Sequence, residues 1–578
     1  MNRRPSSLLT VLSVLSSFSS LAAAELKVWT VAETRHVLRD EAPGTNRAVQ
    51  LAAARNEWEG FQILVRSDEA VKGANVVPGD LQGPGGAVLR ADDALLYRQH
   101  QLELTAGTYR NDAFKPGWYP DPLIPFRHPV TRGPLADARF VAVPFDLPAG
   151  QTHGFWVDLY VPPEAAAGEY RGVYRVTSEG GKAVEIPVSL TVWGFVLPRV
   201  ATLQTEFGSP EGSLRRYYRD LAKKAQKEPK EDRPKAGLPP QAVNWDTVNT
   251  QVAEMLTQHH INCTPPSGCL TPVEQPDGTW RIPAEEVAKL RDFVDRYQAN
   301  ALQVPHPSRA VKDPDEESEK LGAWLRAFDR AAKELGRPNI VFYTYLKDEP
   351  NDEPAYRYVR KWGKAVRTAH SVVKVLVVEQ TKTQDPKWGD LNGAIDIWCP
   401  LFSLHDPETA GQRQAFGETV WTYTALCQLD KTPWWHIDYP LLDYRVPTWI
   451  AWRCRMKGLL YWGGLSHWSD AEDPWTDPKT YRAGKGPKAP LFNGEGTLAY
   501  PARPAGYDGI AASLRMKALR DSIEDFEYLA ILDRAKLTAE ADAIVRPLAE
   551  SWFKWDPDPA AYQAARAKLA ALILAKAK

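Results

Sequence analysis

The sequence predicts a multidomain protein with an N-terminal β-sandwich, a central (β/α)8 TIM-like barrel and a C-terminal helical segment. Three observations carry that prediction. The chain has 578 residues, more than one hydrophobic core serves. Up to Pro198 its apolar residues gather in dense runs of β-formers, with little helical periodicity. Beyond Pro198 short apolar runs alternate with amphipathic stretches, the pattern of βαβ units around a parallel sheet, and from Ser513 the pattern turns helical. The expected units are residues 25–198, 199–510 and 511–578, preceded by a signal peptide over 1–24.

The signal peptide is read from Arg3 and Arg4, the apolar and serine-containing stretch Leu8 to Leu21, and the small residues Ala22-Ala23-Ala24 before Glu25. No cysteine stands at that cleavage point, so a lipoprotein anchor is not expected. No later stretch is apolar enough for a membrane span. The expected location is therefore secreted or periplasmic.

In the sandwich unit, Phe61–Val65 and Phe155–Val161 read as strands. Gly172–Thr177 and Val184–Leu190 flank Ser178-Glu179-Gly180-Gly181 and read as a hairpin. In the barrel unit, strands are expected at Leu203–Phe207, Ile261–Thr264, Ala301–Val304, Ile340–Leu346, Val373–Val378, Asp396–Pro400, Thr419–Thr424 and Gly458–Trp462. Helices between them include Leu321–Leu335 and Pro354–Ala369. In the last unit Leu514, Leu519, Ile523, Phe526 and Leu529 form an apolar stripe, with Asp521, Glu524 and Asp525 expected on a solvated face.

Composition removes several function classes. Lys+Arg 71 against Asp+Glu 72 gives a net charge of −1, not the basic balance of a nucleic-acid binder. The skew is aromatic, with 21 Trp and 22 Tyr, which hints at a sugar-stacking surface. The five cysteines, Cys263, Cys269, Cys399, Cys427 and Cys454, are odd in number and do not form a disulfide framework, although Cys263 and Cys269 are spaced to bridge if their backbones approach. Their spacing matches no zinc site, and there is no Gly-rich phosphate loop, so neither metal nor cofactor is expected.

The most informative segment is Val341-Phe342-Tyr343-Thr344-Tyr345-Leu346-Lys347-Asp348-Glu349-Pro350. An aromatic strand ends in two adjacent acids, and Pro350 forbids its continuation. Two carboxylates at the mouth of a buried strand are costly unless they act, and the C-terminal edge of a parallel sheet is where active sites are built. Adjacent residues of a regular strand point to opposite faces. The two acids share a cavity only if the strand end is irregular.

The C-terminal half resembles the catalytic domain of glycoside hydrolase family 123. Besides Tyr345–Pro350, the matching blocks are Trp421-Thr422-Tyr423-Thr424, Asp438 through Arg445, Gly458 through Gly463 with Trp468, Asp473-Pro474-Trp475, Asn493-Gly494-Glu495-Gly496 with Tyr500-Pro501, and Leu514 through Leu529. Ala52 through Gln62 looks like the sandwich domain that precedes it. The resemblance implies an exported glycosidase that removes terminal β-linked N-acetylhexosamine, N-acetylgalactosamine favoured, from a glycan or glycoconjugate. It further implies retention by substrate-assisted catalysis, in which Asp348 orients the 2-acetamido group and Glu349 serves as acid and then base. Tandem acids suit a substrate that brings its own nucleophile, because a conventional retaining pair faces the bond from two sides about 5 Å apart. Glu379, after the next strand, offers a nucleophile for conventional double displacement on a sugar without an acetamido group. A non-catalytic carbohydrate-binding protein is the remaining reading. Trp398, Trp421, Tyr423, Trp462 and Trp468 lie at or just after predicted strand ends and are the candidates for a sugar platform, each also a candidate for core. Asp438 is a candidate for binding sugar hydroxyls or for capping the next segment.

Overall fold

A computed structural model describes residues 25–227, 243–428, 431–463, 465–486 and 488–576. The proposed signal peptide, 1–24, lies outside the described residues.

The N-terminal region is sheet-rich. One sheet orders β1 (Lys27–Ala32), β3 (Glu57–Arg66), β8 (His153–Val161), β5 (Leu95–Leu104) and β6 (Gly117–Pro125). A second orders β2 (Val49–Arg55), β10 (Val184–Val196), β9 (Gly168–Thr177), β4 (Val71–Val77) and β7 (Phe145–Leu147), with short strands Leu81–Gln82 and Val88–Leu89 at its side. Strands β9 and β10 are the hairpin read from the sequence, with Gly172 opposite Val188 and Val176 opposite Val184. The sheets share one core. Phe61, Ile63 and Val65 of β3 and Phe155, Val157 and Leu159 of β8 meet Tyr174, Val176, Ile186, Val188 and Leu190. The odd-numbered positions of β3 serve that core, whereas its even positions carry Trp58, Gln62 and Leu64 the other way.

A nearly closed parallel barrel follows. Its strands, in order around the barrel, are β11 (Gln204–Glu206), β17 (Gly458–Tyr461), β16 (Thr419–Thr424), β15 (Ile397–Trp398), β14 (Lys374–Val378), β13 (Val341–Asp348) and β12 (Ala301–Val304). The predicted strand Ile261–Thr264 does not form a ladder and corrects the expected count of eight. Asn262 replaces it: its N–H donates to Thr205 Oγ1 at 2.8 Å, its amide Nδ2 to Thr205 O at 2.9 Å and to Asn300 Oδ1 at 2.8 Å. Asn300 N–H donates back to Asn262 Oδ1 at 3.0 Å. Side-chain bonds thus span the gap between β11 and β12, and Pro265-Pro266 have no N–H to extend a ladder.

Between β11 and β12 run α1 (Glu211–Lys227), α2 (Trp245–Thr257) and α3 (Ala284–Tyr297); α4 (Ser318–Leu335) leads to β13, α5 (Glu353–Thr368) to β14, α6 (Pro407–Ala415) to β16 and α7 (Leu442–Arg453) to β17. The β14–β15 connection carries only the 3-10 turn Pro386–Trp388. Asp352 caps α5, its Oδ1 accepting from Ala355 N–H at 2.7 Å. The chain therefore changes from strand to helix within four residues of Asp348.

The C-terminal segment is α8 (Leu514–Arg534), α9 (Thr538–Val545) and α10 (Pro559–Lys576), with a small hairpin between the last two. The expected solvated face of α8 is absent. Arg515, Lys517, Arg520, Asp521, Glu524, Asp525 and Glu527 are all buried. Most find partners elsewhere: Arg515 with Asp121, Lys517 with Asp158 at 2.6 Å, Arg520 with Asp158 at 3.1 Å, and Asp525 with Arg445 at 2.7 Å, while Asp521 pairs with Arg520 of the same helix at 3.0 Å. Glu524 Oε1 accepts from Trp58 N–H at 3.0 Å. Cys263 and Cys269 are free thiols, so the bridge that their spacing allowed is not made. No described helix is long and apolar enough to cross a membrane.

Burial raises the proton affinity of Asp158, but Arg520 and Lys517 outweigh it and hold the carboxyl ionised well below the usual range. Asp158→Ala leaves two cations buried without their anion and should cost about 3–5 kcal/mol. Calorimetry should show a clearly lowered Tm, while Asp146→Ala, at the exposed Lys72 pair, should leave it unchanged.

Candidate active site

The two acids at the end of β13 both bond to tyrosines of the barrel's interior cluster, and two local irregularities achieve it. Pairing with β14 slips between Tyr345 and Lys347: Tyr345 faces Leu376, whereas Lys347 faces Val377 and Asp348 faces Val378. The extra residue, Leu346, turns outward into the helical layer. Asp348 consequently falls on the face of Tyr343 and Tyr345, which line the barrel interior. There Tyr345 Oη donates to Asp348 Oδ1 at 2.9 Å. Glu349 then adopts φ 37°, the left-handed region that a non-glycine residue avoids. Its N–H donates to Val378 O at 3.1 Å, and the turned side chain accepts from the Tyr423 hydroxyl on β16. Both carboxylates are exposed, and the tyrosines that hold them are largely buried.

Those tyrosines are neutral donors. Burial, reinforced by the carboxylate each one serves, drives the ionisation of Tyr345 and Tyr423 far upward. Among the described residues no Lys or Arg is ion-paired with Asp348 or Glu349.

Of the predicted platform, Tyr423 and Trp462 belong to this rim. Trp462 follows β17, packs against the interior cluster that contains Tyr423, and donates its indole N–H to Glu495. Tyr481 meets it edge-on with centroids 5.2 Å apart. The other aromatics are core, which corrects the expectation. Trp398 points outward from β15 and donates to Glu418 Oε2 at 2.7 Å under the helices. Trp421 lies inside the barrel but at its floor, beside Gly458, with its indole N–H on Gln204 Oε1 at 3.2 Å. A Cβ at Gly458 would stand 2.4 Å from that ring, so only glycine fits there. Trp468 is buried and bonded to Ala499 O at 2.9 Å. Asp438 is also corrected: its carboxylate accepts from Thr108 N–H at 2.7 Å, Thr108 Oγ1 at 2.6 Å and Asn111 Nδ2 at 3.0 Å. It fastens the N-terminal region to the barrel, with both carboxylate oxygens engaged by Thr108 and Asn111.

Three further acids stand near these residues: Glu206 and Glu495, to which the sequence analysis assigns no role, and Glu379, read there as a nucleophile for conventional double displacement. Glu206, at the end of β11, accepts from the Tyr343 hydroxyl and from Gly208 N–H at 3.0 Å, and burial raises its proton affinity. Glu495 is buried, within 2.7 Å of His436 Nε2, and anchors Trp462. Glu379 is 4 % exposed and is pushed up to about 7, chiefly by burial, partly offset by bonds from Gln384 and Tyr356 and assisted by the charge of Glu349. Beside Tyr345 opens a cavity of about 450 Å³ lined by Glu206, Asn262, Gln303, His306 and Arg309, over the gap between β11 and β12. Cys427 stands on the other side, its thiol pushed up to about 11 by burial and by Glu349. Among the described residues no group of three or more His, Cys, Asp or Glu is placed to hold a metal ion.

Comparison with known proteins follows the same lines. Residues 300–532 match the family model described as glycoside hydrolase 123, catalytic domain. A family 123 glycoside hydrolase from Clostridium perfringens, solved in work on glycolipid glycan hydrolysis, superposes with TM-score 0.65 at 14% identity, covering 96% of this chain and 98% of that one. At that identity the likeness is one of fold. A family 39 glycoside hydrolase from Bacteroides cellulosilyticus aligns over 83% of this chain and 82% of that one at TM-score 0.30 and 8% identity, too loosely to carry an argument. No curated protein matches the chain by sequence.

Because the charge of Glu349 contributes to the raised Glu379 carboxyl, Glu349→Gln should let Glu379 titrate below about 7, with the larger part of the rise, that due to burial, left in place. Carboxyl-labelled NMR titration measures it; an unmoved titration would mean that the two acids do not sense each other.

Proposed function

Residues 300–532 belong to glycoside hydrolase family 123 as its catalytic domain, the chain is accordingly a glycoside hydrolase acting on O-glycosyl bonds, and from this we propose that it removes terminal β-linked N-acetylhexosamine, N-acetylgalactosamine favoured, with retention and with the substrate's acetamido group as nucleophile. The observation that carries the reading is the placement of Asp348 and Glu349 side by side at the end of β13, each held by a tyrosine hydroxyl.

The steps follow from that placement. Asp348 accepts from the acetamido N–H and directs its carbonyl oxygen at the anomeric carbon. That oxygen forms a bond to the carbon as the glycosidic C–O bond breaks, and Glu349 gives its proton to the departing oxygen. The product is a bicyclic oxazolinium ion, with Asp348 countering the charge at nitrogen. Glu349, now a carboxylate, takes a proton from water, whose oxygen attacks the anomeric carbon and reopens the ring. Two inversions leave the configuration unchanged. Trp462 offers a ring face at the rim for the sugar's apolar side.

Conventional double displacement would need Glu379 free and ionised. Instead both its oxygens accept from Gln384 and one from Tyr356, and it is nearly sealed from solvent. The glycolipid glycan studied with the Clostridium perfringens enzyme makes a glycoconjugate a natural substrate to test. The N-terminal signature over 1–24 supports export as the setting.

The test is release of chromophore from an aryl β-N-acetylgalactosaminide, beside the gluco-acetamido and plain galactoside analogues. Turnover should be confined to acetamido sugars and inhibited by a thiazoline analogue. Asp348→Asn and Glu349→Gln should each lower kcat by roughly 10²–10⁴-fold. Turnover of the plain galactoside alone, indifferent to thiazoline, would sink the substrate-assisted mechanism. Tyr423→Phe, which leaves Glu349 without its donor, should lower kcat by about 10-fold to 100-fold with little change in KM. An equal rise in KM would mean that Tyr423 serves binding instead.

A further inference from the structure

Glu379 is buried beside the catalytic rim without a part in the proposed reaction, and its partners lead back to the turn that carries Glu349. Gln384 Nε2 lies 2.9 and 3.1 Å from the two Glu379 carboxylate oxygens. The same amide nitrogen reaches Asn351 Oδ1 at 3.0 Å and Pro350 O at 3.4 Å, the two residues that follow Glu349. Tyr356, buried in the first turn of α5, donates to Glu379 Oε1 at 3.3 Å and accepts from Gln384 N–H at 3.3 Å. On the near side, Val378, the residue before Glu379, accepts the Glu349 N–H at 3.1 Å. The left-handed residue is thus clamped from before and behind by one short segment, Val378 to Gln384.

We propose that Glu379 and Gln384 are positioning residues for the catalytic acid: a buried carboxyl–amide strut that holds the Glu349 turn so that its side chain meets the leaving-group oxygen. The inference rests on the reading of Glu349 as the acid. A left-handed backbone at a residue with a side chain is held only when its surroundings over-determine it. A carboxyl that orients Gln384 through both oxygens fixes that amide more rigidly than water would. Burying it is costly, and the strut is what the burial secures.

Leaving-group dependence separates positioning of the acid from every other role. A dinitrophenolate departs without a proton, whereas a plain phenoxide needs one from Glu349. Glu379→Gln and Gln384→Leu should each lower kcat/KM on phenyl β-N-acetylgalactosaminide by roughly 10-fold to 100-fold, a part of what general acid catalysis supplies. On the dinitrophenyl analogue both should stay close to wild type, with thermal unfolding checked for each. Gln384→Leu keeps the Glu379 carboxyl, so its loss cannot come from a missing nucleophile. Equal losses on both substrates, or azide rescue of Glu379→Gln, would overturn the strut in favour of a general structural or nucleophilic role. Unaltered rates in both variants would overturn it as well, while leaving the functional reading intact. Silence of the wild type on both acetamido substrates would overturn the functional reading, and the strut with it.

Discussion

Helix α8 dictates how the rest of the protein assembles. It carries Arg515, Lys517, Arg520, Asp521, Glu524 and Asp525 into the interior, where an unpaired ion costs several kcal/mol even after relaxation. The helix therefore docks only where its charges meet their complements, and apart from the Arg520–Asp521 pair within it the principal ones come from distant parts of the chain. Asp121 and Asp158 arrive on strands of the N-terminal sheets, Arg445 on α7, and Glu57 and Glu59 of β3 meet Arg566 of α10. Hydrophobic contacts tolerate sliding by a residue, but this set of pairs does not. Its contribution is to register more than to net stability, since buried ion pairs roughly break even against well-packed apolar residues. The sheet-rich region is consequently part of the same folding problem as the barrel.

That register reaches the rim. Arg515, held by Asp121, also donates Nη1–H to Gly494 O at 3.0 Å. Gly494 has φ 81°, and a Cβ there would stand 2.7 Å from Ile437 and 2.8 Å from Arg515, so the turn is closed to other residues. The next residue is Glu495, which fixes Trp462. Alongside it, Thr108 and Asn111 hold Asp438, two residues from His436. A chain of fixed contacts thus runs from the sheets through α8 to the aromatic ring at the barrel mouth.

The sequence analysis found what depends on local pattern and lost what depends on depth or on distant partners. The strand at Thr419–Thr424 was legible to the residue because its β-formers are uninterrupted, and the one at Ala301–Val304 was placed to the residue as well. Asp348 and Glu349 stood out because Pro350 ends the strand at them. Trp421 and Tyr423 show the limit: they share the interior face, two positions apart, yet about 7 Å of strand rise separates floor from mouth. Trp398 was misread by parity, since its neighbours Ile397 and Cys399 take the inner face. The charges of α8 looked solvated because several of their partners lie far away in sequence, Arg445 for Asp525 and Asp121 for Arg515. Asp438 likewise meets partners that the chain places some 330 positions earlier. The strand expected at Ile261–Thr264 had the right composition, but Asn262 bonds through its side chain where a ladder would use the backbone.

The two tyrosines at the acids are a chemical choice as well as a geometric one. A residue that must carry a proton to the leaving group cannot stand against a guanidinium or an ammonium, which would favour its ionised form. It still needs a directional partner, because an acid free to rotate would miss the departing oxygen. A phenol meets both demands: it orients the carboxyl and adds no charge, and burial holds Tyr345 and Tyr423 protonated throughout the working range. The bulge at Leu346 and the left-handed turn at Glu349 then bring two neighbouring carboxylates to one mouth, each under its own phenol. A protein nucleophile would need a third carboxylate on the far side of the sugar, exposed and free of such partners, and the acid nearest to that description, Glu379, is committed to Gln384 and Tyr356. Under the proposed mechanism the substrate itself supplies the missing group.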